Sequence, residues 1–150
     1  MANLDFRKDL KLGNEGEVVV TNFLESKGHK YVDSNNDNKY DVKMITNGKE
    51  TTYEIKTDVK CAPLFDTGNI FIEFESRGKA SGIAVTQAKW FVTYFRYLNE
   101  LWFIKSNDLR TLIENNEFQV FYDAGDVGSA THGYLINRKQ FKKHFNVCKI

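Results

Sequence analysis

Apolar residues near the start of the chain recur at the spacing of a helix. Residues 15–27 carry them on one face, because positions three or four apart are neighbours on a helix surface. Asn14 is a candidate N-cap, and Gly28 follows where helices commonly end. The β-branched residues at 18–21 favour a strand weakly, but the signals at both ends favour a helix. The apolar positions are Val19, Val20, Phe23 and Leu24.

The pattern then changes to short runs rich in β-branched and aromatic residues, which predict strands. Asn47-Gly48 lies between two of these runs and indicates a tight hairpin, because both residues tolerate a positive φ. The predicted strands are 29–32, 40–45, 51–57, 69–74, 101–104, 118–122 and 133–136.

Three further helices are predicted in the second half of the chain. Four apolar residues share one face of a helix over 85–98, namely Ala88, Phe91, Val92 and Phe95. Residues 106–108 can cap a helix over 109–115, and a basic final helix is predicted over 138–145. Strands and helices in this order predict an α/β fold with a central mixed β-sheet flanked by helices. No linker or repeat divides the 150 residues, so one domain is expected over 1–150.

Composition narrows the class of protein without selecting a function. The chain has 21 Lys and Arg against 20 Asp and Glu, so its net charge of +1 gives no general argument for nucleic acid. The first residues lack the apolar run of a secretory leader, and no stretch is long enough to span a membrane. Cys61 and Cys148 match no metal-ligand spacing. We therefore expect a reduced cytoplasmic protein that does not bind membranes.

Candidate chemistry is concentrated around one predicted strand. Alternate strand residues face the same side, so Glu54 and Lys56 lie together and Ile55 faces away. Asp41 is on the preceding strand, where pairing across the hairpin brings it close to Glu54. Neighbouring carboxylates repel each other, and a hard divalent cation relieves the repulsion. In phosphodiester hydrolysis, such a cation activates the attacking water and neutralises charge at the phosphate. Lys56 orients that water or stabilises the charge that develops in the transition state.

This set of residues resembles the signature of the PD-(D/E)xK nuclease superfamily. The signature is an aspartate, a gap of hairpin length, and Glu or Asp followed by any residue and lysine. Asp41 and the run Glu54-Ile55-Lys56 match it, while Tyr40 stands where the signature has proline. The resemblance implies a restriction-endonuclease-like fold and hydrolysis of DNA phosphodiester bonds with Mg²⁺ or Mn²⁺.

The resemblance extends over roughly residues 13–95 and includes the first helix. Segment 13–28 is similar to the first helix of archaeal Holliday-junction resolvases, where a glutamate reaches the metal directly or through water. Glu17 matches that glutamate, with Glu15 as the alternative. The implied metal ligands are Asp41, Glu54, Glu17 and the backbone carbonyl of Ile55, with Lys56 as the remaining catalytic residue. A homodimer, a branched DNA substrate and a phage or mobile-element origin are further expectations from the resemblance.

Candidate DNA-binding residues follow the signature. Arg77 and Lys79 lie in a basic turn, similar to the stretch after the active site in resolvase-like nucleases, and can contact phosphates. Gln87 and Lys89 lie on the predicted second helix, in a run similar to a glutamine motif of exonuclease-type members without its tyrosine. For all four the alternative is an ordinary solvated surface.

Two other classes of function stay open. The chain can be a catalytically silent nucleic-acid-binding module on the same fold, or an interaction protein with a surface charge cluster at Asp41, Glu54 and Lys56. Glu73 and Glu75 are expected on one exposed strand face, with a second metal site as the alternative use.

Overall fold

A computed structural model of the chain describes residues 15–35, 39–59, 61–124 and 130–150. Within these residues the strands form two sheets. The larger sheet contains β1 (Lys30–Ser34), β2 (Val42–Thr46), β3 (Lys49–Asp58), β6 (Trp90–Phe95), β7 (Glu100–Lys105) and β10 (Asn146–Lys149). The smaller sheet contains β4 (Asn69–Ser76), β5 (Lys79–Ala80), β8 (Gln119–Ala124) and β9 (Thr131–Asn137). The helices are α1 (Glu15–Ser26), α2 (Ser106–Glu114) and α3 (Arg138–Phe141), with 3₁₀ turns at Gly82–Ala84 and Lys142–His144.

The larger sheet is mixed, as the sequence predicts. Its strand order is β1-β2-β3-β6-β7-β10, in which β3 and β6 run parallel and the other neighbours are antiparallel. The smaller sheet has the order β5-β4-β9-β8 and is antiparallel throughout. Because β4 and β5 lie between β3 and β6 in the chain, the parallel crossover passes through the second sheet. The protein is therefore a strand-rich mixed α/β domain.

Each face of the larger sheet is covered by a different layer. On one face, Val20 and Leu24 of α1 pack in a core with Met44, Ile55 and Val92. On the other face, the smaller sheet and α2 pack in a second core; its members include Ile70, Ile72, Phe91, Phe95, Trp102, Leu109, Leu112 and Ile136. The expected flanking helices are thus present on both faces, but a second sheet, which the sequence analysis did not predict, forms most of the outer layer on one of them.

The hairpin and the end of the first helix confirm the local signals. Asn47 and Gly48 have φ values of 51° and 75° and join β2 to β3, as an Asn-Gly turn of type I′ requires. Gly28 has a φ of 96° directly beyond α1, the left-handed conformation that commonly ends a helix. The candidate cap Asn14 lies outside the described residues.

The helix predicted over 85–98 is wrong, because this segment forms β6. In the strand, Phe91 and Phe95 face the smaller sheet while Val92 and Tyr94 face α1. A strand buried on both faces is apolar at nearly every position, so it satisfies the helical spacing by accident. The length of the segment does not decide between helix and strand, whereas its burial on both faces does.

Smaller differences occur in the second half of the chain. The cap predicted at residues 106–108 is wrong, since α2 already begins at Ser106. The buried hydroxyl of Ser106 has no hydrogen-bond partner in the described parts of the chain. The final helix is confirmed as the short α3 followed by a 3₁₀ turn, and β10 beyond it was not predicted. Cys61 and Cys148 are free thiols. None of the helices in the described ranges is long and apolar enough to cross a membrane.

Candidate active site

Strand β3 presents one buried and one partly buried charged side chain on the same face. Tyr53 and Ile55 pack into the core beneath α1, and alternation turns Glu54 and Lys56 to the opposite side, as predicted. Glu54 is only 7% exposed. Burying a carboxylate is costly unless charges or hydrogen bonds compensate, so these two residues are not an ordinary solvated pair.

Asp41 lies opposite Glu54, directly before β2. Its N–H donates to the Tyr53 carbonyl at 2.9 Å, and its Oδ2 accepts a hydrogen bond from the Ile55 N–H at 2.7 Å. These two bonds continue the β2–β3 pairing by one residue and orient the carboxylate. The predicted approach of Asp41 to the Glu-x-Lys run is therefore present in the structure.

The two carboxylates occupy an electrostatically unfavourable position. Burial raises the pKa of Asp41, and the hydrogen bond from Ile55 opposes that rise while the charge of Glu17 adds to it. Burial likewise raises the pKa of Glu54, and the nearby charge of Asp41 raises it further. Lys56 lowers both pKa values but does not cancel the effect of burial. The ionised pair is therefore under strain that an additional positive charge would relieve.

Lys56 is held by carboxylates from both sheets. Its Nζ lies 3.4 Å from Glu54 Oε2 on β3 and 3.6 Å from Glu73 Oε2 on β4. Burial by itself lowers the pKa of Lys56, but the negative charges of Glu54, Glu73 and Asp41 outweigh it, and the pKa is raised. The side chain is therefore an ammonium ion at neutral pH.

The two glutamates at the start of α1 have different surroundings. Glu17 is buried, with 8% of its surface exposed, and it is close enough for its charge to raise the pKa of Asp41. Glu15 is exposed, and its Oε2 lies 3.5 Å from Nε of Arg96. Glu17 is thus the member of the pair that the fold turns inward, as the match to the helix glutamate suggested.

Asp41, Glu54 and Lys56 line two adjoining cavities, which we call together the acidic cleft. One cavity of about 280 Å³ is lined by Asn35, Asp41, Glu54, Lys56, Glu73, Ser81, Gly82 and Val85. The other, of about 440 Å³, is lined by Glu15, Asp41, Ile55, Lys56, Thr57 and Val59. Asp41 and Lys56 belong to both, so they stand at the junction of the two cavities.

A tightly held loop closes the cleft on the side of the smaller sheet. Gly82 has a φ of 53°, and a Cβ there would lie 2.2 Å from the backbone oxygen of Glu73. The Ser81 N–H donates to the Phe74 carbonyl at 3.0 Å, which pairs the loop with β4. Farther along, Thr86 is close enough to Glu54 for its side chain to oppose the rise in the pKa of that carboxyl.

Glu73 lies in the cleft, although the sequence predicts an exposed position for it. Glu73 and Glu75 were expected on one exposed face, but a register shift lies between them in the β4–β9 pairing. Glu73 contacts Lys56, whereas Glu75 Oε2 lies 3.3 Å from Nε2 of His132. The bulge breaks the two-residue alternation, and no glycine or proline marks it on β4 itself.

The four predicted DNA-binding residues lie outside the acidic cleft. Arg77, with a φ of 54°, and Lys79 are exposed at the β4–β5 hairpin. Gln87 and Lys89 are exposed in the segment before β6, and their N–H groups donate to Lys39 O and Thr52 Oγ1. Among the described residues that line the two cavities, none of the four occurs.

The acidic side chains do not form a closed metal cage. Over the described ranges, no three His, Cys, Asp or Glu side chains are close enough together to hold a metal ion. The cleft instead offers two oriented carboxylates beside an ammonium group.

No protein-family model matches the chain, and no curated protein or solved structure matches it either. The function therefore has to be inferred from the residues of the cleft.

Proposed function

We propose that the protein is a metal-dependent deoxyribonuclease of restriction-endonuclease-like fold, and that the acidic cleft hydrolyses DNA phosphodiester bonds. The observation that carries the proposal is the convergence of Asp41, Glu54 and Lys56 from two paired strands into one largely buried cleft. The mixed sheet, with α1 packed across one face and Glu17 turned toward Asp41, supports the fold assignment.

The donor atoms of the cleft fit Mg²⁺ or Mn²⁺ in kind. Asp41 and Glu54 are hard oxygen donors whose pKa values are raised mainly by burial, so a cation would stabilise their ionised forms. Mg²⁺ commonly keeps several waters and takes only one or two carboxylates together with substrate phosphate oxygens. A site with two carboxylates therefore suffices; Ile55 would add its carbonyl and Glu17 would act directly or through water.

In such a site the bound cation supplies charge neutralisation at the phosphate and lowers the pKa of a nucleophilic water. Asp41 and Glu54 hold their positions through the hydrogen bond from Ile55 and the contact with Lys56. Lys56 donates hydrogen bonds to the attacking water or to the phosphate oxygens on which negative charge accumulates. Its partial burial strengthens this interaction, because little bulk water screens it.

The test is cleavage of linear duplex, single-stranded, flap and four-way-junction DNA with Mg²⁺, Mn²⁺ or EDTA. We expect metal-dependent cutting that falls by about 10²–10³-fold in Lys56→Ala, the loss typical of removing one charge-stabilising donor. Lys43→Ala is the matched control, because Lys43 pairs with the exposed Glu50 on the same hairpin and lines neither cavity of the cleft. That variant should cut like the wild type.

The same panel tests the second function. DNA binding without cutting in either metal would contradict the nuclease and favour the catalytically silent module, whose Lys56–Glu54 ion pair would then neutralise the carboxylate in place of a cation. If the protein neither binds nor cuts DNA, the charge cluster of Asp41, Glu54 and Lys56 has only a structural role.

A further inference from the structure

We propose that Glu73 is a positioning residue that holds Lys56 in the acidic cleft, and that it is not a metal ligand; this inference rests on the proposed function. Glu73 comes from β4 of the smaller sheet, while Lys56 and Glu54 come from β3 of the larger sheet. The Lys56 ammonium group therefore lies between two carboxylates that belong to different layers of the fold.

Two contacts restrict the lysine more than one would. A lysine side chain has several rotatable bonds, and an ammonium held by Glu54 alone can move around that carboxylate. Glu73 approaches at 3.6 Å and Glu54 at 3.4 Å, so the two carboxylates together limit where Nζ can be. Correct placement of a catalytic donor within a fraction of an ångström has a large effect on rate.

The backbone at Glu73 is itself held rigidly from both sides. Gly82 packs against the Glu73 carbonyl so closely that a Cβ cannot be accommodated. On the other side Glu73 pairs with Gly133 of β9, where a Cβ would lie 2.4 Å from the Phe71 ring. A side chain on such a constrained backbone suits a positioning role.

The alternative is that Glu73 is a third metal-binding carboxylate beside Asp41 and Glu54. The ammonium group of Lys56 contacts both Glu54 and Glu73, and it therefore takes up the position that a shared cation would need. The geometry thus favours contact with lysine over contact with metal.

The deciding experiment combines kinetics and Mn²⁺ binding on one set of full-length variants. For Glu73→Gln we expect kcat to fall about 10–100-fold while KM for DNA stays within about twofold, since the contact acts in the chemical step. Mn²⁺ affinity, measured by titration calorimetry without DNA, should stay within about threefold. Glu73→Asp, which retains the charge, should recover part of kcat. Asp41→Asn should weaken Mn²⁺ binding by more than tenfold.

Glu75→Gln is the matched control, because Glu75 lies on the same strand and pairs with His132 outside the cleft. It should leave kcat unchanged. In a Lys56→Met background, Glu73→Gln should have no further effect on residual cutting, because its partner is absent.

Three results would overturn the inference. Loss of Mn²⁺ affinity in Glu73→Gln equal to that in Asp41→Asn would make Glu73 a ligand. An unchanged kcat in Glu73→Gln, with an active wild type, would contradict only the role of Glu73. A wild type that does not cut would contradict the proposed function and the catalytic role together. The last two cases are distinguished by the wild-type rate alone.

Discussion

At the scale of single residues, two aspartates have opposite electrostatic surroundings. Burial and the charge of Glu17 raise the pKa of Asp41. The hydrogen bond from Arg138, with a further one from the Gly68 N–H at 3.0 Å, lowers the pKa of Asp66. The negative charge is thus unfavourable at Asp41 and favourable at Asp66. A carboxylate kept at an unfavourable position is typical of a functional site.

Replacing each aspartate by asparagine should therefore change stability in opposite directions. In metal-free buffer at pH 7 we expect Asp41→Asn to raise Tm by about 2–4 °C, which corresponds to about 1 kcal/mol for a chain of this size. Asparagine can still accept the hydrogen bond from Ile55. Asp66→Asn should lower the free energy of unfolding by about 1–3 kcal/mol. Thermal and urea denaturation measure both, and a destabilised Asp41→Asn would contradict the strain at the cleft.

Gly82 and Gly78 offer a second residue-scale comparison. Both have positive φ, but a Cβ at Gly78 meets nothing within 4 Å, whereas one at Gly82 meets the Glu73 carbonyl. Gly78→Ala should cost about 1 kcal/mol through backbone strain alone. Gly82→Ala should cost about 1–3 kcal/mol more, because the loop that carries Gly82 must move away from β4. It should also reduce cutting by displacing Glu73. Equal denaturation midpoints for the two variants would contradict the close packing.

The sequence was sufficient for part of the cleft at this scale. Alternation along β3 and the Asn47-Gly48 turn predict that Glu54, Lys56 and Asp41 converge, because both signals are local. The contact between Glu73 and Lys56 was not predicted, since it depends on a bulge and on the docking of two sheets. Neither leaves a pattern among neighbouring residues.

At the scale of elements, β6 illustrates how tertiary burial overrides a helical pattern. Apart from Thr93, its residues are apolar or aromatic toward both α1 and the smaller sheet, so periodicity carries little information about its conformation. What makes it a strand is parallel pairing with β3, which joins Tyr53 to Trp90 and Lys56 to Thr93. Such pairing between distant segments is not visible in a single sequence.

The segment between β5 and β6 is held by α2 through one arginine. Nη2 of Arg110 donates to the Thr86 carbonyl at 2.6 Å and lies 3.4 Å from the Ile83 carbonyl. Hydrogen bonds from a charged donor contribute about 1.5–3 kcal/mol each. This contact therefore holds the loop that carries Gly82 and Thr86 against the cleft.

Arg110→Met should loosen this loop while keeping most of the apolar stem. We expect a loss of about 1–3 kcal/mol in stability, and faster amide exchange at Thr86, whose N–H donates to the Gly82 carbonyl at 2.9 Å. Arg96→Met is the control, since the exposed Arg96–Glu15 pair should contribute less than about 1 kcal/mol. Exchange at Thr86 that is equally fast in both variants would contradict the role of Arg110.

At the scale of the whole molecule, a partly buried ion pair between Arg138 and Asp66 lies where the two sheets meet. Arg138 begins α3 just after β9, and its guanidinium donates to Asp66 and, at 2.9 Å, to the Asn69 carbonyl at the start of β4. The same group lies 4.9 Å from the centre of the Phe95 ring on β6. Asp66 belongs to the connection between β3 and β4. The pair therefore joins the layers between which the cleft lies.

This pair makes the stability of the molecule depend on pH in a definite direction. Because the hydrogen bond from Arg138 lowers the pKa of Asp66 below its ordinary value of 3.8, the native state binds the proton less readily than the unfolded chain. The stabilisation is therefore complete above pH 3.8 and is lost as pH falls toward the lower native pKa. The destabilisation of Asp66→Asn should accordingly be constant from pH 7 to about 5 and should shrink below pH 4, as measured by urea denaturation at each pH.

Glu50→Gln, at an exposed pair, should differ from the wild type by less than about 1 kcal/mol throughout. A difference between Asp66→Asn and the wild type that stays constant down to pH 2 would show that the charge of Asp66 does not hold the two sheets together.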